Sequence, residues 1–417
     1  MASLFLFLRS QYLAGNVMLC YVAGMLSPFF FASTPHIHFG AGTRFKLAKI
    51  VRSYGSHLLL VTGGRSFDES SLCGELWHEL QSEFELRRIT VSGEPSPQLV
   101  DATVSEQRDW APDAVVAIGG GSAVDAAKAI AGLLPSGDSV MEYLEGVGRG
   151  KAYKGPSTPF IALPTTAGTG GETSKNAVLS VIGADGYKKS FRDDDLVAKH
   201  IILDPELTLS CPKSVTAACG MDAFTQLLES YVSTKASPMS DALALSGLER
   251  IRDSLVLAVM DGSNLDARSG MLYASSISGL TLANAGLGSV HGLASPLGAF
   301  YPIPHGVVCG TLLFEAVRIN IETMLEREPE NLALFKYAEV GRLLCNQDEL
   351  SDSVARDALL KLLKLWTEKL EMPLLTDFGI NEANFPKIIA NISGGSMATN
   401  PIKLNLSEIT ELLRSRL

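Results

Sequence analysis

Paired cysteines and clusters of basic residues are both missing from this sequence. Its 417 residues include six cysteines, and no two are spaced as C-x-x-C. A chain of this length buries a large core without disulfides, so we interpret the cysteines as reduced core thiols of a cytoplasmic protein, with the nearest pair, Cys211 and Cys219, as alternative metal ligands. The net charge is −10 and no long basic run occurs. We therefore expect neither a nucleic-acid partner nor a membrane surface.

Charged residues are also missing between Arg9 and Arg44. The stretch QYLAGNVMLCYVAGMLSPFFFA is long enough for a membrane helix, but Gly, Asn, Ser and Pro residues interrupt it. We interpret residues 1–24 as a non-catalytic extension, with Met25 as the natural start and the first strand and turn within FFFASTPHIHFGAG. The alternatives are a secretory signal or membrane anchor, and an ordered soluble extension.

The composition, with 46% apolar and 19% charged residues, is typical of a globular chain long enough for two domains. In the first half, short apolar runs alternate with stretches of helical spacing. SHLLLVTGG, RRITVSG and PDAVVAIGGGS have the character of strands, and SSLCGELWHELQSEF, LVDATVSEQRDWA and AVDAAKAIAGLL that of helices. This alternation predicts a Rossmann-like α/β domain with a parallel sheet over residues 25–207.

The second half has a different pattern, in which long segments of helical periodicity follow one another with short turns. The segments are 214–234, 238–260, 265–285, 306–325, 331–344 and 352–370. They predict an all-helical domain over residues 208–417. No flexible linker separates the halves, so we expect a ligand cleft between closely packed domains.

A glycine-rich turn in AIGGGSAVDAAKAI lies between a predicted strand and a predicted helix. Gly119, Gly120, Gly121 and Ser122 let the backbone approach a pyrophosphate, and the next helix presents free N–H groups and the positive end of its dipole. The turn lacks the usual G-x-G-x-x-G pattern, and an ordinary turn is the alternative. Asp125 and Lys128 come next in the helix, either as surface charges or, for Asp125, as an acid near the helix N-terminus.

A second loop of small residues comes after the next predicted strand, in FIALPTTAGTGGETSKNAV. Thr165, Thr166 and Thr169 place hydroxyl groups beside glycines. An ordinary polar loop is the alternative, but two such loops in one α/β domain favour the grip of an extended dinucleotide.

Two histidines, His291 and His305, lie in the largely apolar segment SVHGLASPLGAFYPIPHGV. They are either packed in a core or ligands of a metal ion. Upstream, Asp222 and Gln226 are four residues apart on one face of a predicted helix with apolar neighbours. A buried acid needs a partner, which is either an arginine or a cation shared with the two histidines.

The chain resembles the iron-containing (group III) alcohol dehydrogenase family over roughly residues 29–417. The segments that carry the resemblance, in order, are AIGGGSAVDAAKAI, LPTTAGTGGE, ILDPELT, GMDAFTQLLESYVS, GLTLANAGLGSVHGLASPLGAFYPIPHGV and TNPIKLNLSEITELL. The resemblance implies a nicotinamide cofactor, a divalent metal in the cleft and a homodimer. By position, Asp222, His291 and His305 match three metal ligands of the family.

Two positions depart from the family pattern. Gln226 stands where the family has a histidine ligand, and Ser295 stands where many members have a histidine near the substrate. An amide oxygen is a harder and weaker ligand than imidazole, so iron, zinc, manganese or an incompletely filled site are all open. Without that histidine, the alcohol proton leaves through water, a cofactor ribose hydroxyl or Ser295.

Cofactor preference depends on the residues directly after the strand LLLVTGG. Relatives that prefer NAD often have an acid there for the ribose 2′-hydroxyl, whereas this chain has Gly64, Arg65 and Ser66. We therefore expect NADP rather than NAD, with a surface role for Arg65 as the alternative, and we assign Lys188 to the cofactor site as well.

The resemblance predicts an NAD(P)-dependent, metal-dependent alcohol dehydrogenase or aldehyde reductase that acts on a small alcohol, aldehyde or ketone. Asp222, His291, His305 and Ser295 are its expected catalytic residues. Two alternatives remain: a metal-independent reductase of the maleylacetate reductase type, and a degenerate member that binds dinucleotide without redox chemistry.

Overall fold

The computed structural model describes residues 28–392 and 394–417. The predicted extension, residues 1–24, lies outside the described residues. From Phe31 to Leu417 the described chain forms one compact unit. Among the described residues, no helix has both the length and the apolar character that crossing a bilayer requires.

Six parallel strands form the main sheet, in the order β1-β8-β5-β4-β2-β3. Strands β6 and β7 pair separately as an antiparallel hairpin. The strands are β1 (His36–Phe39), β2 (His57–Gly63), β3 (Glu85–Val91), β4 (Ala114–Gly119), β5 (Phe160–Pro164), β6 (Asn176–Val181), β7 (Tyr187–Arg192) and β8 (His200–Leu203).

Both faces of this sheet are covered, as expected for a parallel sheet. Alternate residues of β2 belong to different apolar clusters, with Leu58 and Leu60 on one face and Leu59 and Val61 on the other, and all four are fully buried. This explains why β2 is an uninterrupted apolar run rather than an alternating pattern.

After β8, the described chain contains helices and no strands. Their apolar faces form a third core cluster. The helices of the whole described chain are α1 (Leu47–Arg52), α2 (Arg65–Asp68), α3 (Ser71–Glu83), α4 (Pro97–Gln107), α5 (Gly121–Leu133), α6 (Lys213–Val232), α7 (Pro238–Met260), α8 (Leu265–Ala285), α9 (Ser289–Phe300), α10 (His305–Arg327), α11 (Leu332–Cys345), α12 (Asp352–Lys369), α13 (Phe385–Ala390), α14 (Gly394–Met397) and α15 (Leu406–Arg414). The predicted fold class, a Rossmann-like α/β part followed by a helical part, is confirmed, and the boundary between residues 207 and 208 stays a prediction.

The predicted long helices agree with the structure, and α7 and α8 coincide with the predicted segments 238–260 and 265–285. Local signals account for where they begin. Ser237 accepts a hydrogen bond from the backbone N–H of Ser240 and precedes Pro238 at the first helical position, and Asn264 caps α8 in the same way.

Two elements differ from the sequence-based expectation, whereas the first strand, His36–Phe39, lies within the segment FFFASTPHIHFGAG as expected. The region after the second small-residue loop contains the β6–β7 hairpin, which was not predicted. The segment of His291 is a helix, α9, which glycines and the internal Pro296 conceal because both disfavour helix in isolation.

Candidate active site

The carboxyl ends of three neighbouring strands, β2, β4 and β5, meet at one edge of the sheet. After β2 the chain passes to β3 on one side, and after β4 it passes to β5 on the other, so the strand order reverses between β2 and β4. In open α/β sheets, such a reversal leaves a crevice that binds ligands. The predicted glycine turn comes directly after β4 and lies at this crevice.

The turn needs glycine because the backbone is crowded there. A Cβ atom at Gly119 would lie 2.7 Å from the Cβ of Ala123 and 3.0 Å from the backbone nitrogen of Gly63. Helix α5 begins directly afterwards at Gly121, so its first N–H groups face the crevice. Backbone donors at a helix N-terminus are suited to a phosphate group.

The second loop lies opposite the first. A Cβ atom at Gly120 would lie 3.3 Å from the hydroxyl of Thr166, and one at Gly121 would lie 3.0 Å from the methyl group of Thr169. The backbone N–H of Thr165 donates to the carbonyl of Gly119 at 2.9 Å. The two loops therefore border one space at the sheet edge.

Lys128 is not a surface charge, which was the expectation from sequence. Its side chain is fully buried, and its ammonium group donates to the carbonyl oxygens of Gly171, Ser174 and Asn176 at 2.6, 2.7 and 2.7 Å. Burial lowers the pKa of Lys128 to about 8, against the opposing effect of Asp125 and Glu172. The lysine thus ties the second loop to α5.

Gly64, Arg65 and Ser66 come after β2 at the same sheet edge, where α2 begins. The Arg65 guanidinium is largely exposed and forms an ion pair with Glu69 at 2.6 Å. Arg65 is thus free to reorient toward a ligand, and its contribution to cofactor choice stays a prediction.

Asp222, His291 and His305 converge from three helices. Asp222 lies on α6, His291 on α9, and His305 is the first residue of α10. The Nε2 atoms of His291 and His305 lie 3.2 and 3.7 Å from the same carboxylate oxygen of Asp222. The prediction that these side chains lie together agrees with the structure, and no arginine takes the place of the histidines beside Asp222 among the described ion pairs.

The Cys309 thiol completes this cluster from α10, one turn after His305. Its sulfur lies 3.6 Å from Nε2 of His291 and 3.8 Å from Nε2 of His305. One potential ligand atom from each of Asp222, His291, His305 and Cys309 lies within 4.8 Å of all the others. We name these four residues the donor cluster.

His291 is oriented by a second carboxylate. Its Nδ1 atom lies 2.7 Å from Glu229, whose other oxygen accepts a hydrogen bond from the backbone N–H of Val290 at 2.7 Å. Histidines that ligate metals commonly donate their other ring nitrogen to a carboxylate in this way. Glu229 thereby directs Nε2 of His291 toward Asp222.

Gln226 lies beside the donor cluster on α6. Its amide nitrogen donates to Asp222 at 3.1 Å, and its oxygen lies 2.7 Å from the hydroxyl of Ser278. That hydroxyl has one proton and also lies 2.8 Å from the carbonyl of Ser275. If the Ser278 hydroxyl donates its proton to the carbonyl of Ser275, its oxygen can accept a hydrogen bond from the amide nitrogen of Gln226. The Gln226 amide group is then rotated, so that its oxygen points to the donor cluster.

The charge state of the donor cluster suits a cation. Burial acts to raise the pKa of Asp222, but His305 and His291 outweigh it and lower the pKa to about 2. Burial lowers the pKa of His305 to about 4, so its imidazole is neutral at pH 7, and its buried Nδ1 atom has no hydrogen-bond partner. A neutral imidazole beside an ionised carboxylate is a typical metal-ligand pair.

Burial also acts to lower the pKa of His291, but Cys309, Asp222 and Glu229 raise it well above the usual value. A bound cation would take the place of the proton on its Nε2 atom.

A cavity of about 470 Å³ connects the glycine turn with the donor cluster. Among the predicted site residues, those that line it are Gly121, Ser122, Asp125, Thr169, Lys188, Asp222, Gln226, Ser295, His291 and His305. The remaining ones, Gly64, Arg65, Ser66, Gly119, Gly120, Thr165 and Thr166, are not part of its lining. Burial raises the pKa of Asp125 to about 7, although Lys128 opposes it.

Sequence reasoning missed Glu94, Glu229 and Cys309. Glu94 lines the cavity and forms an ion pair with Lys188 at 3.0 Å, and no local pattern indicated it. The other two had a detectable signal, because Glu229 lies on the face of α6 that carries Asp222 and Gln226, and Cys309 lies four residues after His305.

The fold and the cavity define a dinucleotide-binding protein with a candidate metal site, and comparison with known proteins gives its family. The model of iron-containing alcohol dehydrogenases matches residues 34–205, and the model of the C-terminal part of that family matches residues 216–417. The chain belongs to the iron-containing alcohol dehydrogenase family. The predicted class, an oxidoreductase that acts on CH–OH groups, is thereby confirmed.

Individual relatives agree with this assignment. Alcohol dehydrogenase 4 of Schizosaccharomyces pombe is 32% identical over 385 residues, which is 90% of this chain and 86% of the relative. The 1,3-propanediol dehydrogenase of Citrobacter freundii is 33% identical over 372 residues, covering 86% of this chain and 91% of the relative. A crystal structure of a 1,3-propanediol oxidoreductase superposes with a TM-score of 0.83 at 29% identity, covering 94% of this chain and 100% of that one. These comparisons do not favour the two alternative functions.

Proposed function

We propose that the cavity catalyses reversible hydride transfer between a nicotinamide dinucleotide and a small alcohol, aldehyde or ketone. The observation that carries the proposal is that one cavity is bordered by both the glycine turn and the donor cluster. The two kinds of group that such a reaction needs, a cofactor site and an electrophile site, therefore adjoin.

The cofactor would bind along the sheet edge. The backbone at Gly120, Gly121 and Ser122 and the N-terminus of α5 would bind the pyrophosphate. The hydroxyls of Thr165, Thr166 and Thr169 border the same space from the opposite loop. Toward the donor cluster, Asp125 and Lys188 supply polar groups on the cavity wall.

The finer cofactor preference rests on Arg65 at the end of β2. The exposed guanidinium would pair with a 2′-phosphate in place of Glu69, which favours NADP over NAD. Gly64 and Ser66 flank Arg65 and add no carboxylate.

Asp222, His291 and His305 would hold a divalent cation, and Gln226 would add its amide oxygen after rotation. Their chemistry fits a cation because a buried carboxylate oxygen meets the Nε2 atoms of two imidazoles. When bound, the ion supplies Lewis acidity that polarises the substrate oxygen. Iron, zinc and manganese are the candidate metals.

The chain's own residues orient the substrate and transfer its proton. Glu229 holds His291 in position, which keeps the donor cluster rigid. The Ser295 hydroxyl lines the same cavity as Asp222, His291 and His305, so it can relay the alcohol proton: it accepts that proton while it donates its own to water or to a cofactor ribose hydroxyl. A homodimer, a cytoplasmic location and the domain boundary after residue 207 are part of the same proposal.

Removal and return of metal tests this function. Chelation of the purified protein should abolish NADPH-dependent reduction of aldehydes, while NADPH binding followed by nicotinamide fluorescence stays unchanged. Addition of Zn²⁺, Fe²⁺ or Mn²⁺ should restore turnover, and elemental analysis of the untreated protein should identify the resident ion. Turnover that survives complete removal of metal would contradict the proposal.

A further inference from the structure

The donor cluster contains a sulfur atom that the proposed function does not use. Cys309 lies on α10, is fully buried and has its sulfur 3.6 and 3.8 Å from the Nε2 atoms of His291 and His305. Nothing else in the cluster requires a thiol, since a small apolar residue would fill the same space. Its position therefore calls for a chemical explanation.

Four distances between potential ligand atoms of the donor cluster are close to those expected around one ion. Zinc binds nitrogen and oxygen at about 2.0–2.1 Å and sulfur at about 2.3 Å, so neighbouring ligands in a tetrahedron lie roughly 3.4 Å apart, or roughly 3.6 Å when one is sulfur. The two oxygen–nitrogen separations to Asp222 are 3.2 and 3.7 Å. Both nitrogen–sulfur separations fall near the expected value as well.

Resting on the proposed metal function, we propose that Cys309 is a fourth protein ligand of the cation, so that Asp222, His291, His305 and Cys309 bind it together. Cys309 takes the ligand position that the proposed function gave to the amide oxygen of Gln226, which is the weaker ligand of the two. On binding, the sulfur–metal bond replaces the S–H bond, and the proton leaves to solvent.

The fourth ligand leaves room for a substrate. Asp222, His291 and His305 line the cavity, whereas Cys309 does not. The sulfur therefore approaches the ion from the buried side, and the cavity side stays open for a substrate oxygen as a fifth ligand, a coordination number that catalytic zinc accepts.

A thiolate in the ligand set changes which ion the site prefers. Sulfur ligands select borderline and soft ions such as zinc, whereas carboxylate and amide oxygens suit manganese and magnesium. We expect the site to bind zinc and cobalt(II) well ahead of manganese.

X-ray absorption spectroscopy of the zinc-loaded full-length protein tests this proposal without any variant. The expected spectrum contains one sulfur at about 2.3 Å together with nitrogen and oxygen at about 2.0–2.1 Å. In Cys309→Ser the sulfur shell should disappear, and the Zn²⁺ dissociation constant should rise by more than the roughly 10- to 100-fold that loss of an outer-shell partner costs.

Cys219→Ser is the matched control, because Cys219 lines the same cavity but lies outside the donor cluster. It should retain the sulfur shell. A cobalt(II)-loaded sample should show a thiolate-to-metal charge-transfer band that Cys309→Ser lacks and Cys219→Ser keeps.

The possible failures are distinguishable. Stoichiometric zinc with only nitrogen and oxygen neighbours, or a sulfur shell that persists in Cys309→Ser, would overturn the role of Cys309 and leave the metal function standing. A protein that binds no stoichiometric cation at all would overturn both.

Discussion

The two ends of the cavity are built from different parts of the chain. At the dinucleotide end, two continuous segments after β4 and β5 present backbone N–H groups and hydroxyls, and Lys128 fixes one segment to the other. At the cation end, single side chains arrive from α6, α9 and α10. One end depends on backbone shape and the other on long-range packing.

This difference predicts how each end responds to substitution. A side chain at the cation end contributes an individual donor that its neighbours do not replace. The backbone donors of the dinucleotide end remain when one nearby side chain changes, so losses there should be smaller and limited to one property.

His305→Ala should produce the largest effect, because it removes a metal ligand at the cation end and leaves the dinucleotide end unchanged. Lewis-acid stabilisation is worth several kcal/mol, so we expect kcat to fall on the order of 10³-fold or more. NADPH affinity, measured by fluorescence titration, should be unchanged. His78→Ala, at an exposed position on α3, is the control. Near-normal turnover of His305→Ala would contradict the assignment of Lewis-acid catalysis to the cation end of the cavity.

Glu172→Gln tests buried charge at the dinucleotide end. Burial raises the pKa of Glu172 to about 7, and one of its oxygens has no hydrogen-bond partner. The pKa of Glu172 is higher in the folded protein than in the unfolded chain, so the folded protein holds this proton more tightly. The contribution of the protonated Glu172 to the free energy of unfolding is therefore complete below about pH 4 and is lost as the pH rises through about 7. At pH 8 the free energy of unfolding is therefore lower than at pH 4 by on the order of 3 kcal/mol because of this one group.

The amide cannot ionise, so Glu172→Gln should be more stable than the unaltered protein at pH 8 and similar to it at pH 4.5. Urea denaturation at both pH values measures the difference. Glu106→Gln, at an exposed position on α4, should change neither. Equal pH dependence in Glu172→Gln and the unaltered protein would contradict the assignment of this buried charge.

Glu229→Gln tests how His291 is oriented at the cation end, because this substitution removes a charge without removing a metal ligand. The hydrogen bond to Nδ1 of His291 would become neutral, and we expect Zn²⁺ affinity to fall by roughly 10- to 100-fold. Competition with a chelating dye measures the dissociation constant. Glu326→Gln, at an exposed position on α10, serves as the control. An unchanged dissociation constant would mean that Glu229 does not orient the ligand.

Arg65→Gln should have the smallest effect and should touch only cofactor preference. Loss of one exposed charge-assisted contact is worth about 1.4 kcal/mol, so NADPH should bind about tenfold more weakly. NADH affinity should stay the same. Arg149→Gln removes a comparably exposed arginine and should alter neither affinity. Parallel losses for both cofactors would contradict a role for Arg65 in binding the 2′-phosphate.

The same difference between the two ends explains how far the sequence could be interpreted. The glycine turn and the threonine loop are continuous segments, so their residue types and the strands before them were enough to mark both as candidate dinucleotide-binding loops, whereas their position opposite one another came only from the structure. The family resemblance pointed to Asp222, His291 and His305, whereas the one local signal for Cys309 was its position four residues after His305 on the same helix.

Other features depend on tertiary contacts that no local pattern records. Lys128 has the sequence appearance of a surface residue, and its burial depends on three carbonyl groups more than 40 residues away. Helix α9 contains Pro296 and two glycines, so its packing against α10, β7 and α14 is what stabilises it as a helix.

The hydrogen bonds between Lys128 and the second loop also affect the kinetics of cofactor exchange. A loop that is disordered in the free protein must be ordered during each binding event, at about 1–2 kcal/mol for each residue fixed. Lys128 holds the carbonyls of Gly171 and Ser174 through hydrogen bonds within the chain, which involve no cofactor atom. Association should therefore proceed in a single step without a slow closing phase, and the residence time of the cofactor should be governed by its direct contacts alone.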